Sequence, residues 1–183
     1  VKQLKEAKEL SFDTETDSTD PVKANLVGIS LSAKAGVAFY IPVNVEGALP
    51  EEKVLSIIEP LLTNTESLKI AQNFKYDYLV LLRAGLKVEG PVFDTMVAGY
   101  LHDASQKIGM DALAKSYLNY EPVSIESLIG KGKSAKSMDE LPYEDVAQYA
   151  CEDADVTYKL WKILEEKLDE DELTKIAEEL EFP

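Results

Sequence analysis

The sequence predicts an α/β fold in which helices flank a mixed central sheet of about five strands. Three features of the 183-residue chain lead to this prediction. The first three predicted elements are strands, the next ones alternate between helix and strand, and a long amphipathic helix follows near the C-terminal end. Strands followed by alternating helices and strands are typical of layered α/β folds. A chain of this length is expected to form one core, so residues 1–183 are predicted to be a single domain.

The strands are predicted from short alternating or fully apolar runs between turn residues. After a polar lead-in over residues 1–9, five strands are predicted at 11–16, 25–32, 37–43, 68–71 and 92–93. Turns at Asp20-Pro21 and Ala35-Gly36 separate the first three strands.

The helices are predicted from apolar residues at helical spacing and from residues that start or stop helices. One helix covers 51–62, and the next begins near Asn73 and stops at Gly85. Asp94 is the predicted N-cap of a third helix. The other predicted segments are a helix at 110–118, an irregular lysine-rich stretch at 124–137, the long helix from Pro142 and an acidic helix at 170–181.

The long helix carries the first indication of function. Over Tyr149–Leu164 its apolar residues share one arc and its charged residues share the other. Tyr149 and Asp153, four residues apart, fall within the apolar arc. A carboxylate that faces a core is costly unless an arginine, several hydrogen-bond donors or a bound cation compensates it. The position of Asp153 therefore predicts that the layer it faces contains a group that compensates its negative charge.

Three further acids are predicted to face the same interior. Asp13 and Glu15 alternate with apolar residues of the first strand, so both project from one face of the sheet. Asp77 shares a helix face with Asn73 and is flanked by apolar residues. Four acids that face a core without a cationic partner of their own indicate divalent metal. Hard cations such as Mg²⁺ prefer oxygen ligands.

Each acid also has a simpler interpretation. Taken alone, Asp13 and Glu15 fit an exposed edge strand, and Asp77 fits the border of its helix. Asp153 is harder to explain this way, because its neighbours on the arc are apolar. Other polar residues are interpreted as structural or solvated: Glu152 and Asp155 as solvated charges, Asp94 as a cap, His102 as a surface residue and Cys151 as a small helical residue.

The charge balance argues against a protein that coats duplex nucleic acid. The chain has 19 basic and 34 acidic residues, which gives a net charge of −15, whereas such proteins usually show a basic surface. A pocket for a few nucleotides of one strand is still compatible with this charge, because metal ions neutralise phosphates and aromatic residues stack on bases. The single cysteine excludes an internal disulfide, and no apolar run is long enough to span a membrane.

Three motifs carry a family resemblance. The chain contains, in this order, DTET at 13–16, NFKYD at 73–77 and YACEDAD at 149–155. They closely resemble the motifs of the proofreading 3′–5′ exonuclease domain of bacterial DNA polymerase I, in the tyrosine-containing branch of the DEDD superfamily. The resemblance covers about residues 10–168, with further similarity in ANLVGISL, YIPV, FDTM, MDAL and IGKGK. It implies a ribonuclease H-like fold.

The resemblance also implies a catalytic set. Two divalent ions, Mg²⁺ with Mn²⁺ or Zn²⁺ as substitutes, would be held by Asp13, Glu15, Asp77 and Asp153. Two such ions activate water, neutralise the phosphate and stabilise the leaving oxygen. Tyr149 would orient the attacking water, because a phenol with an ordinary pKa of about 10 is a poor base at neutral pH.

The substrate-binding residues that the resemblance implies are Thr14, Thr19, Asn73 and Tyr76. At two positions the chain departs from the family pattern. Thr19 stands where an apolar residue usually wedges against the terminal bases, and Ile125 stands where an aromatic stacking residue is expected. The departure at Thr19 removes the apolar wedge and predicts weaker binding of the strand end.

The GKGKS run at 130–134 does not form a phosphate loop, because the glycine that such a loop needs is replaced by Ser127. The simpler interpretation is a mobile loop with solvated lysines. A weaker functional interpretation is contact with DNA phosphates by Lys131, Lys133 or Lys136.

The expected function is a metal-dependent 3′–5′ exonuclease that trims single-stranded or frayed DNA 3′ ends and releases nucleoside 5′-monophosphates. By resemblance the chain is a piece of a longer polymerase whose polymerase domain would follow residue 183, and it would act as a monomer in the bacterial cytoplasm at the nucleoid. One alternative is a catalytically weak or silent module that braces the polymerase or holds DNA; the retained carboxylates and tyrosine argue against it. The other is an RNA-trimming exonuclease similar to ribonuclease D; the polymerase-like C-terminal junction argues against it.

Overall fold

The first strand lies in the middle of the sheet. The computed structural model describes residues 4–182, apart from the side chain of Lys133. The five strands of these residues are β1 (Glu9–Thr16), β2 (Leu26–Lys34), β3 (Val37–Pro42), β4 (Leu68–Ala71) and β5 (Val92–Asp94). Their order is β3-β2-β1-β4-β5. β1 pairs antiparallel with β2 and parallel with β4, so the predicted mixed sheet is confirmed.

Helices cover both faces of this sheet. They are α1 (Glu51–Leu62), α2 (Phe74–Arg83), α3 (Thr95–His102), α4 (Met110–Leu113), α5 (Ile125–Ile129), α6 (Tyr143–Glu170) and α7 (Thr174–Ile176). Two of them, α4 and α7, continue as π-helical turns over Ala114–Leu118 and Ala177–Glu181. Within residues 4–182, no helix combines the length and the apolar character that crossing a membrane requires.

The alternation of β1 separates an apolar face from a polar one. Leu10 and Phe12 are buried on the face covered by α1 and α2, and the Phe12 ring meets Phe74 edge-on at a centroid distance of 6.2 Å. A second core lies beneath α6, where Leu160 and Trp161 are almost fully buried. Side chains of successive strand residues point to opposite faces. Ser11, Asp13 and Glu15 therefore face away from the α1–α2 core and towards α6.

Two sequence-based predictions need correction. The segment 124–137 is not irregular throughout: it contains α5 and a 3₁₀ turn at Gly132–Ser134, and the Lys136 amide donates to the Ile129 carbonyl at 2.8 Å. The acidic tail is not one helix from residue 170. Glu172 adopts a left-handed backbone with φ of 60°, which ends α6 before α7 begins.

The polar lead-in predicted for residues 1–9 lies partly outside the described residues. Within the described part, Leu4 is buried in the core under α1 and α2. This part of the lead-in is therefore anchored by an apolar side chain, and β1 begins earlier than predicted, at Glu9.

Candidate active site

Acids from β1 and α6 meet at one end of the sheet. One carboxylate oxygen from each of Asp13, Glu15 and Asp153 lies within 4.8 Å of the other two. Strand alternation projects the first two, and helical spacing places Asp153 on the buried side of α6 opposite them. Asp153 and Glu15 are each only 5% exposed. The three acids lie in a cleft of about 470 Å³.

Asp77 reaches the same cleft from α2 but stands apart from this group of three. Its Oδ1 accepts hydrogen bonds from the amide of Thr14, at 3.0 Å, and from the Thr14 hydroxyl, at 2.5 Å. The residue is 2% exposed. Asp77 is thus tied to β1 between the two strand acids, and the structure brings all four predicted acids to one cleft.

The four carboxyls hold their protons more tightly than free ones. Burial raises the pKa of Asp13 from 3.8 to about 7. Burial and the charge of Asp13 raise the pKa of Asp153 to about 9. The same two causes raise the pKa of Glu15 and that of Asp77 well above their ordinary values, with Asp153 and Asp77 adding to the effect on Glu15. No ion pair formed by the described residues includes any of the four.

These residues fit a divalent cation. Glu15 Oε1 and Asp153 Oδ1 are buried without a hydrogen-bond partner among the described residues. Buried acceptors without partners carry a desolvation penalty. A hard cation bound between carboxylate oxygens removes this penalty and the mutual repulsion together. The donor set is all oxygen, which suits Mg²⁺ or Mn²⁺.

Tyr149 lies one turn before Asp153 on α6 and lines the cleft. Burial, followed by the charges of Asp153 and Glu15, raises the pKa of its phenol. A hydrogen bond with Tyr149 in turn lowers the pKa of Asp153. At neutral pH the phenol is therefore protonated, and it acts as a hydrogen-bond donor rather than as a base.

The predicted substrate residues Thr14, Thr19, Asn73 and Tyr76 all line the cleft, and so does Ile125. Two of them are already engaged. The Thr14 hydroxyl is bonded to Asp77, and the Tyr76 hydroxyl contacts the hydroxyl of Thr16 and the carbonyl of Ser18. Asn73 has a left-handed backbone with φ of 66°. Ile125 exposes 44% of its surface, so this position offers the cleft an apolar side chain.

Asp94 does more than cap α3. Its Oδ1 accepts from the amides of Met96 at 2.9 Å and Val97 at 3.4 Å, which confirms the predicted cap. Its carboxylate also accepts from the amides of Asn73 at 3.0 Å and Phe74 at 2.9 Å, at the start of α2. One buried carboxylate thus joins the first turns of two helices, and α2 carries Asp77.

Sequence reasoning missed this second role of Asp94. The second role depends on the parallel pairing of β4 with β5, which places Ala71 opposite Asp94 and which local sequence patterns do not show. Parallel neighbours end at the same edge of the sheet, so the helices that follow them start side by side.

The interpretation of two acids on the polar arc of α6 as solvated charges is wrong. Glu152 accepts hydrogen bonds from the Tyr120 hydroxyl and from the Val123 amide at 2.7 Å. Asp155 accepts from the Gly36 amide at 2.6 Å and pairs with Lys159 at 2.5 Å. Both acids tie surrounding loops to α6.

Comparison with known proteins decides the family. The family model described as 3′–5′ exonuclease, from DNA polymerase A, matches residues 1–169. The chain belongs to this 3′–5′ exonuclease family. Its members are hydrolytic nucleases, and a mechanism with two divalent metal ions is typical of them.

Two curated relatives are bacterial polymerases. DNA polymerase I of Borreliella burgdorferi is 37% identical over 185 residues, and that of Pseudomonas aeruginosa is 36% identical over 192 residues. Both alignments cover 100% of this chain, but only 20% and 21% of the relatives. The chain therefore spans about a fifth of the length of these polymerases.

Solved structures share the fold. NrnC of Brucella melitensis superposes with a TM-score of 0.75 at 24% identity, over 94% of this chain and 79% of that one. Escherichia coli RNase D, an exoribonuclease, gives a TM-score of 0.71 at 16% identity, over 96% of this chain and 44% of that one. These similarities confirm the predicted ribonuclease H-like fold.

Proposed function

We propose that this 3′–5′ exonuclease trims single-stranded or frayed DNA 3′ ends and releases nucleoside 5′-monophosphates, as the proofreading part of a DNA polymerase I. One observation carries the proposal: Asp13, Glu15 and Asp153 converge within 4.8 Å in a chain of this family. The cleft around them has a volume of about 470 Å³ and would take a few nucleotides of one strand, and the net charge of −15 disfavours a duplex-coating role.

The acidic side chains of the cleft would bind divalent metal ions. Asp13, Glu15 and Asp153 would hold one ion directly, and Asp77, fixed by its bonds to Thr14, would support a second. When bound, two Mg²⁺ ions supply an activated water, charge neutralisation on the phosphate and stabilisation of the leaving oxygen. Mn²⁺ or Zn²⁺ could substitute, since each accepts carboxylate oxygen ligands.

The remaining residues position the substrate. Tyr149, protonated at neutral pH, orients the attacking water by donating a hydrogen bond. Thr14, Thr19, Asn73 and Tyr76 contact the terminal nucleotides. Because the Tyr76 hydroxyl is engaged with Thr16 and Ser18, Tyr76 offers its ring to the substrate.

The parent protein supplies the rest of the function. Relatives of this chain are about five times longer and are named DNA polymerase I. Residues 1–183 would then be one exonuclease domain, followed by a polymerase domain that delivers frayed primer ends to the cleft. We expect a monomer in the bacterial cytoplasm, at the nucleoid.

An RNA-trimming activity is the second candidate, because ribonuclease D of Haemophilus influenzae is 31% identical over 109 residues that cover 59% of this chain. A silent bracing module is disfavoured by the four acids and Tyr149, all of which line the cleft.

The test is digestion of two oligonucleotides of the same sequence, one DNA and one RNA, each labelled at the 5′ end. With Mg²⁺, the proposal predicts a ladder that shortens from the 3′ end of the DNA, with nucleoside 5′-monophosphates as products. A ladder from the RNA alone would assign the chain to the second candidate. Intact oligonucleotides of both kinds, with folded protein, would support the silent module.

A further inference from the structure

All but one of the charged residues known to line the cleft, within the described part of the chain, are acidic. Among the described residues that line it, the acidic ones are Asp13, Glu15, Asp17, Asp77 and Asp153, and the only cationic one is Lys136. A nucleic-acid strand brings one further negative charge with each phosphate. Metal ions at the four acids neutralise charge only where the bond is cut, so phosphates further along the strand need another source of positive charge.

Lys136 and the residue after it form hydrogen bonds with three other parts of the chain. Its own amide donates to the Ile129 carbonyl at 2.8 Å. The next residue, Ser137, donates from its amide to Glu140 at 2.8 Å and from its hydroxyl to the Asp17 carbonyl at 3.4 Å. The bond to Asp17 joins this segment to the turn that follows β1. Lys136 therefore lies at the wall of the cleft, in a segment that is hydrogen-bonded to α5 and to the turn after β1.

The side chain of Lys136 is exposed and free to meet a ligand. Within the part of the chain that the structure describes, it forms no ion pair. By contrast, Lys131 in the same segment is paired with Glu126 at 2.7 Å.

We infer that Lys136 binds a phosphate of the substrate strand other than the one that is cleaved. This inference rests on the proposed nuclease function and adds a residue that holds the strand behind its 3′ end. Lysine is a compact point charge with a flexible stem, so it suits a phosphate whose position varies between sequences. Its contribution is electrostatic and independent of the base.

The experiment compares wild type with Lys136→Gln, Lys136→Arg and Lys131→Gln on two substrates. One is a DNA decanucleotide, and the other is the p-nitrophenyl ester of thymidine 5′-monophosphate, which has no second phosphodiester. We expect Lys136→Gln to raise KM for the decanucleotide about two- to fivefold at low salt, as for an exposed ion pair. We expect no change with the ester, and near wild-type values for Lys136→Arg and Lys131→Gln.

Salt dependence gives an independent readout. For single strands, each phosphate contact contributes roughly 0.7 to the slope of log affinity against log salt, so Lys136→Gln should make this slope shallower by about that amount. Equal values for Lys136→Gln and Lys131→Gln would overturn the inference. If wild type cleaves neither substrate, the proposed function fails instead. Fluorescence anisotropy with the labelled decanucleotide then tests the contact of Lys136 by the same comparison.

Discussion

Removing the metal should make the stability of this protein fall as the pH rises. The pKa of the Asp13 carboxyl is raised from 3.8 to about 7, and that of Asp153 from 3.8 to about 9. Below the ordinary pKa both groups are protonated in the folded and unfolded states, and their stabilising contribution is complete. Between pH 4 and about 7 the unfolded chain releases the Asp13 proton while the folded chain keeps it, so stability is lost with rising pH.

The magnitude follows from these shifts. The pKa of Asp13 is raised by about three units. Each unit corresponds to about 1.4 kcal/mol, so this carboxyl changes the free energy of unfolding by at most about 4 kcal/mol. The shifts of the four acids are not additive, because they arise partly from the same mutual repulsion. We therefore expect the free energy of unfolding to fall by about 2–4 kcal/mol in total between pH 5 and 8. For a domain of this size that is a decrease of about 5–15 °C in Tm. Mg²⁺ should restore most of it, since it binds the folded state.

The assay is thermal unfolding in EDTA at pH 5 and pH 8, repeated at pH 8 with Mg²⁺. All samples contain salt at about 0.3 M, because salt screens the repulsion between surface acids but hardly weakens the repulsion between buried ones. Asp153→Asn should flatten the pH dependence and remove most of the effect of Mg²⁺. Asp155→Asn is the control, because Asp155 lies on the same helix but is paired with Lys159. A Tm in EDTA that is equal at pH 5 and pH 8 would refute the electrostatic argument.

Three further predictions concern hydrogen bonds and packing. Asp94→Asn should cost about 1–3 kcal/mol in chemical denaturation and should lower nuclease activity, because the amide nitrogen would replace the Oδ2 that accepts from the Phe74 amide and leave that buried donor without an acceptor. Unchanged stability would contradict the double cap. Tyr149→Phe should lower kcat roughly 10–100-fold, because the attacking water loses the hydrogen bond that orients it. The pH–rate profile below pH 10 should not change, and a lost alkaline limb would contradict a phenol that stays protonated. Gly28→Ala should cost about 1–3 kcal/mol, because its Cβ would overlap the Tyr40 ring; a melting temperature equal to that of wild type would contradict this packing.

Much of the fold was predictable because its signals are local. Alternation along β1 separates Phe12 from Asp13, and helical spacing places Asp153 beside apolar residues of α6. Both patterns hold in the structure, and they place Asp13, Glu15 and Asp153 on the faces of β1 and α6 that meet. Acids without a local partner were therefore a usable signal for a shared site.

The missed features depend on contacts between distant segments. The second pair of bonds to Asp94 crosses from β5 to α2, and the bonds to Glu152 cross from the loop before α5. Ser137 is held by Asp17, which lies 120 residues earlier in the chain. Hydrogen bonds of this kind are set by how elements pack, so propensity and periodicity do not contain them.

The most direct test of the central claim is the dependence of 3′-end trimming on divalent metal. The rate on a 5′-labelled DNA oligonucleotide would be measured during a Mg²⁺ titration of metal-stripped wild type, Asp153→Asn and Asp155→Asn. We predict no trimming without metal, saturable activation of wild type and Asp155→Asn, and loss of activity in Asp153→Asn. Trimming that persists in EDTA, or an Asp153→Asn protein as active as wild type, would contradict the assignment of these carboxylates as the metal-binding nuclease site.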